Sequence, residues 1–149
     1  MNKKLFSILF TLFLVGVLSV SCSNKDKTGS GESTESGKGF GFDQKYAYTW
    51  IAEGFDAESG LNGQQYTINQ DGSMTPQGGS IIPASEIIKN SDSSYTIYGK
   101  NTDSNTGDII SKTTMNIDFT SDTSAVITII VENINPSQKY EYKGNLTRQ

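Results

Sequence analysis

The most reactive group in this chain is a single thiol. Cys22 is the only cysteine among 149 residues, and there is no histidine at all. Without histidine, no serine–histidine or cysteine–histidine pair exists to activate a nucleophile, and the usual zinc donor sets are missing. The remaining candidates are oxygen groups. Glu53, Asp56 and Glu58 form the densest acidic cluster. Two carboxylates across a cleft can hydrolyse a glycoside if an apolar wall raises the pKa of one. The stretch shows no such wall, so a polar loop ending in the turn pair Asn62-Gly63 is the favoured reading. Asn101 to Asp108 offers several hard oxygens in a tight loop, as calcium requires. It fails the helix–loop–helix calcium template, because Gly107 is fifth from Asp103 instead of sixth and Thr114 stands where a bidentate glutamate belongs. Asn, Asp, Gly and Ser are also ordinary turn residues, and no metal is assigned.

What precedes Cys22 decides its fate. Lys3 and Lys4 open the chain, and Leu5 to Val20 is apolar apart from small or hydroxylated residues. This run is at or below the short limit for a membrane-crossing helix. A basic start, a short apolar core and small residues before a cut site describe a secretory signal over residues 1–21. The stretch Leu18-Ser19-Val20-Ser21-Cys22 resembles the lipobox of bacterial lipoproteins. Leu18 lies four places before the cysteine instead of three, a relaxed form that spirochaetal lipoproteins tolerate. The resemblance implies cleavage before Cys22, a covalent diacylglycerol on its sulfur, and an N-acyl (palmitate-class) lipid on the new amino group. Under the alternative, an ordinary secretory signal, Cys22 stays a free thiol, which is unusual where oxidising compartments favour pairs. Several acyl chains hold a protein on a membrane where one is marginal.

Residues 22–39 then read as a lipidated flexible tether. From Ser23 to Gly39 there is no aliphatic or aromatic side chain, so nothing offsets the entropy of ordering. Its charges cancel, and as a random coil it reaches about 20–25 Å. Residues 40–149 form one domain by length. Seven basic and thirteen acidic residues give this part a net charge of −6. Nucleic acid is therefore an unsuitable partner, since binding it requires a basic surface.

Periodicity in this domain is that of β-strands. Lys45 to Ala52 alternates, with Tyr46, Tyr48 and Trp50 on one face. Gln65 to Asn69 leads to an Asp71-Gly72 hairpin turn. Pro83 separates two short apolar pieces, Ser80 to Ile82 and Glu86 to Lys89, and the stretch between them has the residues for one helical turn. Ser94 to Gly99 is a further strand. Thr113, Met115, Ile117 and Phe119 point inward along Ile109 to Phe119. Ser124 to Val131, largely β-branched, reads as buried on both faces. Gln138 to Leu146 sets Tyr140, Tyr142 and Leu146 against Glu141 and Lys143. Phe40 and Phe42 should pack at the domain edge. About eight short strands joined by short turns predict an all-β fold: a small antiparallel up-and-down β-barrel, or alternatively a β-sandwich. The meander favours the barrel, which removes exposed edges.

Trp50 near the first strand, Arg148 near the last, and the stretches 66–72 and 142–148 are similar to features of small bacterial lipocalin-like (calycin) domains. In that group a tryptophan packs on an arginine to close the barrel base, so the resemblance implies that role for Trp50 and Arg148. Tyr48 departs from it, because a glycine is usual there. On residues alone, Trp50 is equally a core aromatic and Arg148 a solvated tail. Signal, tether and small acidic β domain together resemble the outer-membrane lipoprotein antigens of spirochaetes, which implies surface exposure and the outer membrane as location. Three functions stay open. One is a non-enzymatic surface lipoprotein acting as antigen or interaction module, with a host protein as partner. Another is a carrier of a small apolar ligand inside the barrel. The third is an inhibitor of a basic host enzyme such as lysozyme, using Glu53, Asp56 or Glu58. The seven tyrosines suit an interface or a pocket, although most are expected simply to pack. An enzyme is the least favoured reading.

The lipid reading has a direct check. Cys22→Ser is expected to abolish incorporation of radiolabelled palmitate and to stop signal removal by the lipoprotein peptidase. Unchanged labelling would overturn it.

Overall fold

The computed structural model describes residues 39–149. Cys22, the signal over 1–21 and the tether as far as Lys38 lie outside the described residues. The strands are β1 (Gly39–Phe40), β2 (Thr49–Glu53), β3 (Gln65–Ile68), β4 (Met74–Pro76), β5 (Ile87–Lys89), β6 (Ser94–Thr102), β7 (Ile109–Phe119), β8 (Ser124–Asn133) and β9 (Gln138–Arg148). All belong to one antiparallel sheet of order β1-β5-β6-β7-β8-β9-β2-β3-β4. The sheet curls on itself into a half-barrel. The all-β reading and the meander therefore hold, with nine strands in place of about eight, and one sheet in place of the two of a sandwich.

Short turns make sequence neighbours pair, so β5 through β9 run as a continuous up-and-down ribbon. The curl then brings β9 beside β2, with Trp50 opposite Arg148 and Ala52 opposite Leu146. One face of each strand fills the concave side. Tyr95, Ile97, Met115, Ile117, Phe119, Ala125, Ile127, Ile129, Val131, Leu146, Trp50, Tyr66, Ile68 and Met74 are all buried there. Four expectations needed correction. Lys45 to Ala52 is not one strand: Gln44–Tyr46 forms a 3₁₀ turn, and only Thr49–Glu53 pairs. The turn buries Tyr46 over the base of the sheet, which an extended chain would not do. β8 is not buried on both faces; Ala125, Ile127, Ile129 and Val131 are buried, while Val126, Thr128 and Ile130 are half-buried on the outside. Gly39 is not tether but already strand, paired with Lys89. Phe40 and Phe42 do not share the domain edge: Phe42 packs in the core, and Phe40 is exposed.

The two ends of the half-barrel differ. At the lower end, near the turns at Asn90–Ser94 and Thr120–Ser124, the edges of the sheet meet. Met74 and Ile82 exchange backbone hydrogen bonds of 3.0 and 2.7 Å, and the Phe42 N–H donates to the Gly72 carbonyl at 2.9 Å. Gly72 has φ +80°, and a Cβ there would stand 2.9 Å from the Phe42 carbonyl oxygen. A side chain at this position would part the two edges. At the upper end, near the turns after Thr102 and Asn133, β6 to β9 run on beyond the shorter strands.

The connection between β2 and β3 seals one flank. Asn62 grips Phe55 through both amide atoms: its Oδ1 accepts from the Phe55 N–H (2.9 Å), and its Nδ2 donates to the Phe55 carbonyl (2.8 Å). Phe55 thereby lies on Gly144 of β9, where any Cβ would fall into its ring and within 2.8 Å of the Glu53 carbonyl. Gly144→Ala is expected to destabilise the fold by about 1–3 kcal/mol through overpacking, read as a lower urea midpoint. Adding Phe55→Ala removes the ring clash but leaves the one with the Glu53 carbonyl, so the alanine at 144 should cost clearly less in that background; additive losses in the double variant would contradict this packing.

Candidate functional site

Glu53, Asp56 and Glu58 stand exposed at the end of β2 and on the following connection. The loop is not without apolar anchors, as its sequence suggested: Phe55 and Leu61 are both buried in the core. Those anchors are buried in the core while the three carboxylates face water. Glu53 accepts a long hydrogen bond from Thr147 Oγ1 at 3.4 Å. Asp103, in the loop that was weighed for calcium, turns its carboxylate inward onto its own turn. Its Oδ1 accepts from the N–H groups of Asn105 (2.7 Å) and Thr106 (3.1 Å). This is an Asx turn.

Trp50 and Arg148 do come together, directly opposite each other across β2 and β9. Trp50 is fully buried, and its Nε1–H donates to the Tyr46 carbonyl at 3.0 Å. The Arg148 guanidinium lies 4.2 Å over the ring of Tyr48. The side chain that departs from the lipocalin pattern is thus the one that receives the arginine. A cation over an exposed ring contributes about 0.5–1 kcal/mol.

Around Trp50 the lower end is filled by aromatic rings. Tyr46 stacks on Phe119 with centroids 3.6 Å apart, Phe42 and Tyr95 lie 4.6 Å apart, and Trp50 meets Phe119 edge-on at 5.0 Å. Beside this plug, Lys89 Nζ donates to both carboxylate oxygens of Asp43 (2.9 and 3.1 Å) and pairs with Asp92 at 3.2 Å. The hydrogen bond it donates to Asp43 is the main cause that holds Lys89 charged above the ordinary lysine range. Burial pushes the Tyr95 phenol up to about 12. A phenol harder to ionise when folded supports the fold fully below pH 10, and that support is lost as pH rises through about 12. Asp43 and Lys89 are 46 positions apart, and no local pattern announced their pairing.

Two further features escaped the sequence. Tyr66 is buried on the concave face, and among the described residues its hydroxyl has no hydrogen-bond partner. Desolvation drives its pKa far upward. The second feature is a groove of about 650 Å³ between the Ser80–Ile82 segment and the upper halves of β6 and β7, where Ile81, Tyr98 and Ile109 are exposed. Tyr98 and Ile81 are 62% and 63% accessible, so two large apolar side chains flank one recess. Of the seven tyrosines, Tyr46, Tyr66 and Tyr95 pack inside, Tyr140 and Tyr142 are half-buried at the upper end, and Tyr48 and Tyr98 face water. The one hint in sequence was the pair Ile109-Ile110, which breaks the alternation of β7 by placing apolar groups on both faces.

No family of proteins, no curated protein and no solved structure matches the chain.

An unpaired buried hydroxyl costs about 1–3 kcal/mol. Tyr66→Phe is therefore expected to raise stability by about 1 kcal/mol in urea unfolding. A loss of stability of that size would mean that the hydroxyl is engaged in solution by water or a ligand.

Proposed function

We propose that the chain is a non-enzymatic, membrane-anchored surface lipoprotein. It displays the half-barrel on a tether from Cys22 as an antigen and interaction module. The observation that carries this reading is where the tether joins the domain. Gly39 pairs with Lys89, next to the turn at Asp92, so the tether meets the plugged lower end. The long hairpins β6–β7 and β8–β9 run from that end to the upper one. At about 3.4 Å per residue, the eleven residues of β7 carry their tips roughly 35 Å away from the attachment. An anchor at one end and the exposed apolar side chains Tyr98, Ile109, Ile110 and Ile134 toward the other is the arrangement of a displayed binding surface.

The carrier reading is the second. Tyr66 favours it, because a buried donor without a partner suits a ligand carrying one acceptor atom. Against it, the aromatic plug already occupies the lower interior, so a ligand has only the upper part of the concave face. Location in the outer membrane and exposure at the cell surface belong to the same proposal.

The display reading is tested on intact cells. Asn105→Cys places a thiol at the exposed tip between β6 and β7. The variant should react with a membrane-impermeant maleimide to the same extent before and after lysis. Labelling only after lysis would remove surface display from the proposal.

A further inference from the structure

Among the described residues, β6 beyond Tyr98 has no strand on the side away from β7. β5 ends at Ile87, opposite Ile97, while β6 continues to Thr102. The phase of the ladders shows which groups are left open. Phe119 N–H donates to the Ser93 carbonyl at 2.8 Å, which puts the odd-numbered residues of β6 in hydrogen-bonded register with β7. Asn90 N–H donates to the Ser94 carbonyl at 2.8 Å, which puts the even-numbered ones in register with β5. Ile87 and Ile97 form a non-hydrogen-bonded pair, which Tyr98 closes by donating its N–H to the Glu86 carbonyl. Above it, the Tyr98 carbonyl and both backbone groups of Lys100 meet no strand among the described residues, and they point into the groove beside Ile81.

The two faces of this edge differ in chemistry. On the inner side the groove is lined by Ile82, Ile97 and Gly99, and on the outer side by Tyr98, Lys100 and Lys112. Lys100 and Lys112 sit directly opposite each other across β6 and β7. Like charges in that position repel. Glu132, opposite Lys112 on β8, is held by Lys139 at 3.4 Å. Among the described residues, neither Lys100 nor Lys112 has an ion pair. A domain of net charge −6 thus keeps two lysines without an ion pair next to this open edge.

We infer that the upper edge of β6 is a docking site for an extended segment of another protein. The segment adds as a strand to Tyr98–Lys100, turns apolar side chains toward Ile82 and Ile97, and sets an acidic side chain beside Lys100. Backbone hydrogen bonds would give the affinity and alternate side chains the selectivity, as in strand addition generally. A lysine on an edge repels unwanted strands, and an acidic partner is the kind it admits. A second copy of this chain is a poor occupant, since pairing two such edges would gather four lysines. The inference deepens the interaction-module reading and rests on it, but it is measured on the purified chain, so that failed docking and failed display are told apart.

The test uses two blocked peptides, one alternating valine with glutamate and the other alternating valine with lysine, and follows amide hydrogen exchange of the full chain. The glutamate peptide should saturably slow exchange at the Lys100 amide, and the lysine peptide should not. Lys100→Glu is expected to weaken the glutamate peptide about ten-fold and to favour the lysine peptide. Lys100→Pro removes the outward N–H at a position where an edge strand accepts proline, and should abolish saturable binding of the glutamate peptide. If it fails to fold, the charge-reversed variant decides alone. Equal binding of both peptides, no protection by either, or slow exchange at the Lys100 amide in a peptide-free dimer would each overturn the inference.

Discussion

Phe119 is the residue on which the shape depends. It ends β7 at the lower rim, and its ring is in contact with Phe42, Tyr46, Trp50 and Tyr95. Those four come from the chain before β2, from β2 itself and from β6, which lie far apart in the order of the sheet. A flat ribbon could not bring them together. Burying five rings needs the sheet to curl until its two ends touch, and the backbone bonds from Phe42 to Gly72 and between Met74 and Ile82 lock it there. Each aromatic pair adds about 0.5–1.5 kcal/mol beyond its buried area, so the cluster outweighs any single surface contact in the molecule.

That closure at one end leaves the other end open. The short strands β1, β3, β4 and β5 are all engaged at the base, and there are too few residues in them to follow β6 to β9 upward. The upper halves of the long hairpins therefore keep exposed ladder groups and exposed isoleucines. Fewer buried contacts also mean that this end opens locally at lower free energy than the plug. Stability is concentrated at the lower end, where Lys89 and Asp43 tie β5 to the chain that leads in from the tether, and the surface suited to partners is kept at the other.

Much of the strand pattern was legible. Alternation in β7 and β9 placed Met115, Ile117, Phe119 and Leu146 inside, and there they lie. Gly72 was readable as a turn because positive φ selects glycine. The failures share one cause. Lys45 to Ala52 alternates like a strand, yet Tyr46 reaches Phe119 only if the backbone turns, and Phe119 is seventy-odd positions away. β8 looked buried on both faces because β-branched residues suit any strand; which face meets the core depends on the curl. The ion pair Asp43–Lys89, the orphaned hydroxyl of Tyr66 and the open edge at Tyr98 left no local trace for the same reason.

The sequence by itself determined the element type, the antiparallel meander, the net acidity of the domain, and the lipid-anchor expectation at Cys22. These follow from properties of neighbouring residues: side-chain period, turn chemistry, charge and hydropathy. Tertiary structure alone decided how far the sheet curls, which end is plugged, and which stretch of β6 keeps its hydrogen-bonding groups unused. Those depend on contacts between residues tens of positions apart. A strand's own residues cannot encode whether its neighbour is long enough to cover it.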